Sequence, residues 1–177
     1  MSKKLIHQGN LISVFKQKID LPEGKHTFYD IVNHPGGAVI IAINEQKQVC
    51  LITQDRPAVN STIWELPAGC LEPGEAPLIT AQRELEEETG WKAADWTELG
   101  SIVTTPGFCD EVLHLYAAQH LTRTQTNFDA EEQIEIHWLS MSQVEEMVAD
   151  GTINDAKTLS LLYRLKQHPD FSKLWQE

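Results

Sequence analysis

The chain has 177 residues, of which 41% are hydrophobic, and this composition suits one domain with a real hydrophobic core. Its 26 acidic and 14 basic residues give a net charge of −12, which argues against general binding to nucleic acid or to anionic membranes, because both need a basic surface. The three cysteines include no CxxC pair, so we expect no disulfide framework and a reducing, cytoplasmic compartment. Because the chain has no long apolar run, we expect neither a signal peptide nor a membrane span.

The N-terminal part, residues 1–33, contains two segments of alternating hydrophobicity. These segments are Leu11–Lys18 and His26–Val32, and the turn signal Leu21-Pro22-Glu23-Gly24 lies between them. The pattern predicts an antiparallel pair of strands. A two-stranded ribbon is only marginally stable alone, so we expect this arm to pack on another surface.

Residues 34–177 mix strand and helix patterns without a steady βαβ rhythm. The predicted strands are Ala38–Asn44, Val49–Gln54, Thr62–Leu66, Trp96–Thr104, Glu111–His120 and Glu132–Leu139. Two of the predicted helices are Ser142–Ala149 and Asn154–Gln167. The near-continuous apolar run of Ala38–Asn44 is typical of a strand that is covered on both faces. Together these elements indicate an α/β fold in which helices cover a mixed sheet.

The stretch Gly69–Trp91 reads GCLEPGEAPLITAQRELEEETGW and contains a further helix pattern. Leu78, Ala81 and Leu85 recur at intervals of three and four residues, which predicts one buried stripe along a helix. Gly90 ends this helix, as glycine commonly does just past a helix C-terminus.

Glu84, Glu87 and Glu88 stand at positions i, i+3 and i+4 of this helix, so their carboxylates share one face. Like charges at this spacing repel each other. The cluster is therefore either a well-solvated acidic face or a site for cations. Hard divalent ions such as Mg²⁺ prefer oxygen ligands, commonly one or two carboxylates together with substrate phosphates.

The same stretch matches the pattern G-x5-E-x7-R-E-U-x-E-E-x-G-U, in which U is a bulky apolar residue. The matching residues are Gly69, Glu75, Arg83, Glu84, Leu85, Glu87, Glu88, Gly90 and Trp91. The stretch resembles the signature box of the Nudix hydrolases, with Trp91 where the family usually has an aliphatic residue. The resemblance implies a Nudix-type α/β/α sandwich and metal-dependent hydrolysis of a pyrophosphate link. The acidic net charge is compatible with such a substrate, because bound cations reverse the local sign.

The resemblance also implies roles for residues in and beside the box. The implied metal ligands are Glu84, Glu87, Glu88 and the backbone carbonyl of Ala68, with Mg²⁺ as the cation and Mn²⁺ as a substitute. We predict that Arg83 is one of the substrate-binding residues. Its equivalent in the family pairs with box glutamates and fixes their orientation. Glu75 either braces the corner between loop and helix or is an ordinary first-turn acid favoured by the helix dipole.

The general base in similar enzymes is a glutamate on a mobile loop before the late strand, where loop closure brings it to the substrate. The corresponding stretch is Asp129–Ile136. Alignment of Ile134 and Glu135 with the family phrase puts Glu132 at the base position, and Glu131 is the alternative. A solvated acidic loop is the simpler interpretation of the same residues.

Four further phrases resemble those of the ADP-ribose pyrophosphatases, a Nudix subfamily. They are Gln54-Asp55-Arg56-Pro57, Glu65-Leu66-Pro67-Ala68-Gly69, Thr105–Glu111 and Gly151–Thr158. The substrate-binding residues that they imply are Arg56, Glu65, Phe108, Glu111 and Lys157. The guanidinium of Arg56 suits a diphosphate, because it binds such a group with bidentate geometry. The alternatives are a loop anchor for Phe108 and a solvated lysine at a helix start for Lys157.

In these similar enzymes the N-terminal arm reaches across a homodimer and helps to close the other subunit's pocket. The resemblance places Phe28, Tyr29 and Asp30 where such an arm would clamp the nucleotide base. The alternative is a hairpin packed on its own chain, with Phe28 or Tyr29 in the core. The domain prediction is therefore an arm at residues 1–33 and a Nudix hydrolase domain at residues 34–177.

The function implied by the resemblance is Mg²⁺-dependent hydrolysis of nucleoside diphosphate sugars, with ADP-ribose as the first candidate. GDP-mannose or another nucleotide sugar is the first alternative. A capped RNA or a nucleoside triphosphate is disfavoured by the acidic charge and by the phrase around Pro106. A further alternative is a non-catalytic Nudix module that senses a nucleotide sugar, which the complete set of box carboxylates disfavours.

Overall fold

The computed structural model describes residues 3–127 and 134–175. The strands of these ranges are β1 (Lys3–Gln8), β2 (Ser13–Asp20), β3 (His26–Asn33), β4 (Gly37–Ala42), β5 (Val49–Arg56), β6 (Ser61–Glu65), β7 (Ala68–Cys70), β8 (Trp91–Val103), β9 (Val112–Arg123) and β10 (Ile134–Leu139). The helices are α1 (Pro77–Thr89), α2 (Met141–Ala149) and α3 (Ala156–Gln167).

The described strands form three sheets. Strands β1, β2 and β3 form an antiparallel N-terminal sheet, which is the arm. Strands β10, β5 and β6 form a second antiparallel sheet. The third sheet has the order β7-β4-β9-β8 and is mixed, because β4 runs parallel to β9 and antiparallel to β7. The predicted α/β fold with a mixed sheet and an antiparallel arm is therefore confirmed.

Strand β4 lies at the centre of the fold, and all of its residues are buried. The core on its α2 and α3 side includes Val39, Ile41, Leu161 and Leu165. The core on its α1 side includes Ala38, Ile40, Ala81 and Leu85. Alternate residues of β4 thus enter opposite layers, which accounts for its unbroken apolar run and gives the α/β/α order of layers.

The largest differences from the sequence prediction concern β1, β7 and β8, whereas the bounds of other strands shift by a few residues. Strand β1 adds a third strand to the arm, and its sequence KKLIHQ is exposed at every position, so no buried alternation marks it. Strand β7 spans three residues, which is too short for a periodic signal. Strand β8 begins at Trp91, directly after the end of α1 and earlier than predicted.

Side chains fix the starts of the two C-terminal helices. Ser140 caps α2, and the carboxylate of Asp155 accepts a hydrogen bond from the backbone N–H of Thr158 at 3.0 Å at the start of α3. This cap places Lys157 in the first turn of α3. Within the two described ranges, no helix combines the length and the apolar character needed to cross a membrane.

Candidate active site

Helix α1 carries the acidic face that the sequence predicts. It begins at Pro77 and ends before Gly90, which has a left-handed φ of 69° and whose N–H donates to the carbonyl of Glu86 at 2.8 Å. Ala81 and Leu85 are fully buried in the core on this side of β4. The apolar stripe therefore fixes the rotation of the helix and turns the acidic face toward β7.

Strand β7 lies directly against this acidic face. The backbone N–H of Ala68 donates to Oε2 of Glu88 at 2.9 Å, and the Glu88 side chain is only 2% exposed. A Cβ atom on Gly69 would lie 1.9 Å from the carboxyl group of Glu84, so only glycine permits this approach. The pairing of β7 with β4 thus sets the positions of two of the three glutamates.

Arg83 is the centre of a hydrogen-bond network that joins helix and loop. Its Nε and Nη2 atoms donate to the two carboxylate oxygens of Glu75 at 3.2 and 3.1 Å. Its Nη1 atom donates to Glu84 at 2.6 Å and to Glu87 at 3.1 Å, and Nη2 also donates to the carbonyl of Cys70 at 3.2 Å. The guanidinium therefore joins two box glutamates to Glu75 at the loop–helix corner.

The ion pair of Arg83 and Glu75 predicts a defined loss of stability in acid. The hydrogen bond from Arg83 lowers the pKa of Glu75 from 4.5 to about 2. A carboxyl group whose pKa is lower in the folded than in the unfolded protein stabilises the fold above its unfolded pKa, and this stability is lost as the pH falls to the folded pKa. We expect Glu75→Gln to lower the free energy of unfolding at neutral pH and to flatten its fall below pH 4.5.

Denaturant unfolding from pH 7 to pH 2 measures this effect. The matched control is Glu72→Gln, because Glu72 is exposed in the same loop and only its backbone N–H contacts Glu75, at 3.2 Å. Identical pH slopes for both variants would show that Arg83 does not hold Glu75 in the ionised form.

The fit of these residues to a divalent cation rests on their donor atoms. Glu84 and Glu87 accept from Arg83, and Glu88 accepts from the Ala68 N–H. In this conformation no three His, Cys, Asp or Glu side chains of the described residues are grouped to hold a metal ion. Carboxylate oxygens nevertheless suit a hard cation, which would replace the Arg83 hydrogen bonds.

Two adjoining cavities form a cleft in front of this network. The larger, of ≈ 790 Å³, is lined by Glu84, Glu87, Arg83 and Asn127 among others. The smaller, of ≈ 400 Å³, is lined by His34, Glu111, Asp155 and Lys157 among others. The two share Leu11, Arg56, Ala68, Gly69 and Cys70. The acidic helix and the predicted cationic residues therefore face one continuous space.

A buried carboxylate holds two of the cationic side chains of the cleft, those of Arg56 and Lys157. Oε1 of Glu65 accepts from Nε and Nη2 of Arg56 at 2.8 and 2.7 Å, and Oε2 accepts from the ammonium group of Lys157. Lys157 also lies 3.1 Å from Oδ2 of Asp155. Glu65 is 0% exposed, so it stands behind both cations and orients them, whereas the sequence suggested direct substrate contact.

Glu111 lines the smaller cavity and is held by two neighbours. The hydroxyl of Thr104 donates to Oε2 of Glu111 at 2.7 Å, and Nδ1 of His34 lies 3.3 Å from Oε1. The backbone N–H of Gly36 donates to the same Nδ1 at 3.1 Å, and Nε2 of His34 lies 3.9 Å from Sγ of Cys70. Sequence reasoning missed His34 and Cys70; the only signal was that Cys70 follows the box glycine.

The order Cys70, His34, Glu111 resembles a nucleophilic triad, but the thiol is not activated. Burial, followed by the nearby charges of Glu111 and Glu84, raises the pKa of Cys70. A nucleophilic cysteine requires the opposite shift. The raised pKa of Cys70 thus gives no support for a covalent role of this cluster.

The remaining predicted residues lie outside this cleft or outside the described chain. Phe108 is 55% exposed, and its carbonyl accepts from the backbone N–H of Val32 at 2.7 Å, so the loop Thr105–Glu111 anchors the end of the arm. Glu131 and Glu132, the two candidates for the general base, lie outside the described residues. The chain approaches that segment beside α1, because the N–H of Asn127 donates to the carbonyl of Glu87 at 3.0 Å.

The predicted base clamp does not contact the cleft of its own chain. Phe28, Tyr29 and Asp30 are exposed on β3, whereas the arm lines the cleft through Asn10 and Leu11, which sequence reasoning missed. The alternative prediction, burial of Phe28 or Tyr29 in the core of the same chain, is therefore wrong.

Carboxylates that suit a divalent cation, together with an Arg–Lys pair in the same cleft, are the kinds of groups that metal-dependent phosphoryl-transfer enzymes use. The chain belongs to the NUDIX family, because the NUDIX domain model matches residues 33–162. The family identification made from the box sequence is therefore confirmed, and the protein is a Nudix hydrolase.

Two relatives and one solved structure are consistent with this family. The chain is 35% identical over 160 residues to the ADP-ribose pyrophosphatase of Bacillus subtilis (strain 168), covering 89% of this chain and 86% of the relative. It is 32% identical over 151 residues to the GDP-mannose pyrophosphatase of Cronobacter sakazakii, covering 80% and 78%. A crystal structure of an ADP compounds hydrolase matches with a TM-score of 0.83 at 20% identity, covering 94% of this chain and 91% of the other, which shows the same fold.

Proposed function

We propose that this Nudix protein hydrolyses the pyrophosphate bond of nucleoside diphosphate sugars, with ADP-ribose as the first candidate. Attack of water on one phosphorus would release a nucleoside monophosphate and a sugar phosphate. The observation that carries the proposal is the continuous cleft between the carboxylates of α1 and the cations Arg56 and Lys157. The names of two relatives, an ADP-ribose and a GDP-mannose pyrophosphatase, support the substrate class.

The proposed metal ligands are oxygen atoms of α1 and β7, of which Ala68, Glu84 and Glu87 line the cleft, whereas Glu88 is buried beside Ala68. These are the side chains of Glu84, Glu87 and Glu88 and the carbonyl of Ala68, with Mg²⁺ as the cation and Mn²⁺ as a substitute. A bound cation neutralises diphosphate charge and lowers the pKa of a coordinated water. Before a cation binds, Arg83 holds Glu84 and Glu87 in place. Its contacts with Glu75 would keep Arg83 anchored when a cation replaces its hydrogen bonds to Glu84 and Glu87.

Residues outside α1 supply the proposed contacts with the diphosphate and the sugar. Arg56 retains guanidinium N–H groups beyond those bound to Glu65, and Lys157 lines the same cavity. Because Glu65 neutralises part of both charges and fixes their positions, the two cations are preorganised for an anionic ligand. Glu111 is proposed to position the ligand from the other end, and Phe108 to flank its sugar side.

The proposed general base is Glu132, with Glu131 as the alternative. The support is the position of the flanking residues. Asn127 is hydrogen-bonded to Glu87 on the acidic helix, and Ile134 pairs with Gln54 at the end of β5. A carboxylate carried between these two points would accept the proton of the attacking water.

A side-by-side panel of nucleotide sugars tests this function. Purified full-length protein with Mg²⁺ is expected to release AMP from ADP-ribose faster than GMP from GDP-mannose, as measured by chromatography of the nucleotide products. Faster release of GMP would favour the GDP-mannose alternative. Binding of these ligands without any turnover would contradict hydrolysis and favour the sensing module.

We also propose a cytoplasmic homodimer in which the arms, residues 1–33, cross between subunits. The support is the apolar surface of the arm, where Leu5, Phe28 and Tyr29 are 49%, 55% and 49% exposed. Crossing would bury these side chains and bring Phe28, Tyr29 and Asp30 to the nucleotide base in the other subunit's cleft. A fully active monomer in light scattering would contradict this arrangement.

A further inference from the structure

Cys70 and His34 form a side-chain pair in the cleft that the proposed hydrolysis does not use. Sγ of Cys70 lies 3.9 Å from Nε2 of His34, and both residues line the smaller cavity. The pair is a product of the fold, because Gly37 and Cys70 are register partners in the β4–β7 ladder and His34 lies in the short link between β3 and β4. A thiol and an imidazole nitrogen thus face each other beside Gly69.

The distance between these two atoms suits two ligands of one metal ion. Zinc binds a thiolate sulfur at about 2.3 Å and an imidazole nitrogen at about 2.0–2.1 Å, so such ligands at a tetrahedral angle lie about 3.6 Å apart. The observed separation of 3.9 Å needs only a small side-chain adjustment. Because Cys70 and His34 border an open cavity, water could fill the remaining coordination positions.

The other nitrogen of His34 already has the neighbour that a metal-binding histidine requires. Nδ1 lies 3.3 Å from Oε1 of Glu111, and Thr104 holds that carboxylate from its other oxygen. Metal-ligating histidines almost always donate their second ring N–H to a carboxylate or carbonyl, which fixes the tautomer. With a cation on Nε2, Nδ1 would donate to Glu111 in place of accepting from Gly36.

We propose that Cys70 and His34 form a second metal site, for a thiophilic divalent cation such as Zn²⁺, whose occupation blocks the cleft. Sulfur and imidazole ligands favour such a cation, whereas the carboxylates of α1 favour Mg²⁺, so the two sites differ in selectivity. Two protein ligands make the binding reversible and weaker than at a four-ligand structural site. The cation would lie beside Arg56 and draw Glu111 toward His34, which removes space and a contact from the substrate.

Only the inhibitory consequence rests on the proposed hydrolysis; the binding itself does not. Co²⁺ tests the binding, because cobalt bound to a thiolate absorbs in the near ultraviolet and cobalt bound only to carboxylates does not. Titration of Co²⁺ into the reduced, Mg²⁺-saturated full chain is expected to produce this absorption in the parent and in the control variant Cys109→Ser. Cys70→Ser should abolish it and His34→Ala should weaken it, with circular dichroism to show that each variant is folded.

The inhibition is tested by adding Zn²⁺ to the Mg²⁺-saturated enzyme and comparing each variant with its own uninhibited rate. Half-inhibition of Cys70→Ser is expected to need at least tenfold more Zn²⁺ than that of the parent or of Cys109→Ser. No thiolate absorption in the parent, or an unchanged absorption in Cys70→Ser, would overturn the site. Equal inhibition of the parent, Cys70→Ser and Cys109→Ser would overturn the block of the cleft. If only the nucleotide-sugar panel fails, the cobalt titration still decides whether Cys70 and His34 bind a metal.

Discussion

Replacement of Glu88 by Gln is expected to lower the kcat of Mg²⁺-dependent hydrolysis by about 10³-fold without unfolding the protein. Loss of one charged metal ligand removes several kcal/mol of stabilisation from the transition state, and each 1.36 kcal/mol corresponds to about a factor of ten in rate. The fold should tolerate the change, because glutamine keeps an oxygen that can accept the Ala68 N–H, now 2.9 Å from Oε2 of Glu88. A neutral amide also costs less to bury than a carboxylate at a side chain that is 2% exposed.

Thermal unfolding with and without Mg²⁺ separates a metal ligand from a structural residue. A cation that binds only the folded state raises the melting temperature. We expect Mg²⁺ to raise that of the parent and to leave that of Glu88→Gln nearly unchanged, whereas without Mg²⁺ the variant should be at least as stable as the parent. The matched control is Glu86→Gln on the same helix, because Glu86 instead contacts Lys92 at 3.0 Å and Thr124 at 2.9 Å.

The control should keep both the parental rate and the parental response to Mg²⁺. If Glu88→Gln also keeps the parental rate, the proposed ligand set is wrong. If both variants lose activity equally, the helix responds to its total charge and Glu88 has no individual role.

The acidic helix could be predicted because its signals are local. The stripe of Leu78, Ala81 and Leu85, the stop at Gly90 and the spacing of the glutamates all act within a few residues of one another. Burial of β4 on both faces was predictable for the same reason, since an unbroken apolar run has no solvated side. These features fix the two layers of helices, and with them the wall of the cleft that carries the carboxylates.

Contacts set by sheet register could not be predicted in this way. Glu65 meets Lys157, which lies 92 positions further along the chain, only because β6 ends beside the start of α3. From sequence alone Glu65 was interpreted as a substrate contact, and its complete burial behind two cations follows from that packing. The pairing of His34 with Cys70 likewise depends on the β4–β7 ladder, which involves a strand too short to leave a pattern.

The conformation of the acidic cluster was also beyond sequence reasoning. The positions of Glu84, Glu87 and Glu88 predict a shared face, but they do not predict what occupies it. One guanidinium, that of Arg83, satisfies carboxylates from both helix and loop. The structure thus has a guanidinium beside the carboxylates for which the sequence predicts a metal, and this contact depends on side-chain geometry that residue spacing does not give.

Replacement of Gly69 by Ala is expected to inactivate the enzyme by a steric route. The new Cβ would lie 1.9 Å from Oε1 of Glu84, and these carboxylate atoms are the end of a flexible side chain. Glu84 can therefore rotate away while the backbone stays in place. We expect a loss of kcat/KM of about 10²-fold or more, equivalent to about 3 kcal/mol, with a small change in melting temperature.

Gly37→Ala provides the contrast, because its Cβ would lie 2.7 Å from the backbone carbonyl oxygen of Gly69, which cannot rotate away. That variant should lose stability, whereas Gly69→Ala should lose activity. A double-mutant cycle with Glu84→Gln then tests whether Gly69→Ala acts through Glu84. If the methyl group acts by displacing Glu84, the double variant should be no less active than the less active of the two single variants. Additive losses would mean that Gly69 contributes to the site through its own backbone, since two independent causes multiply their effects on the rate.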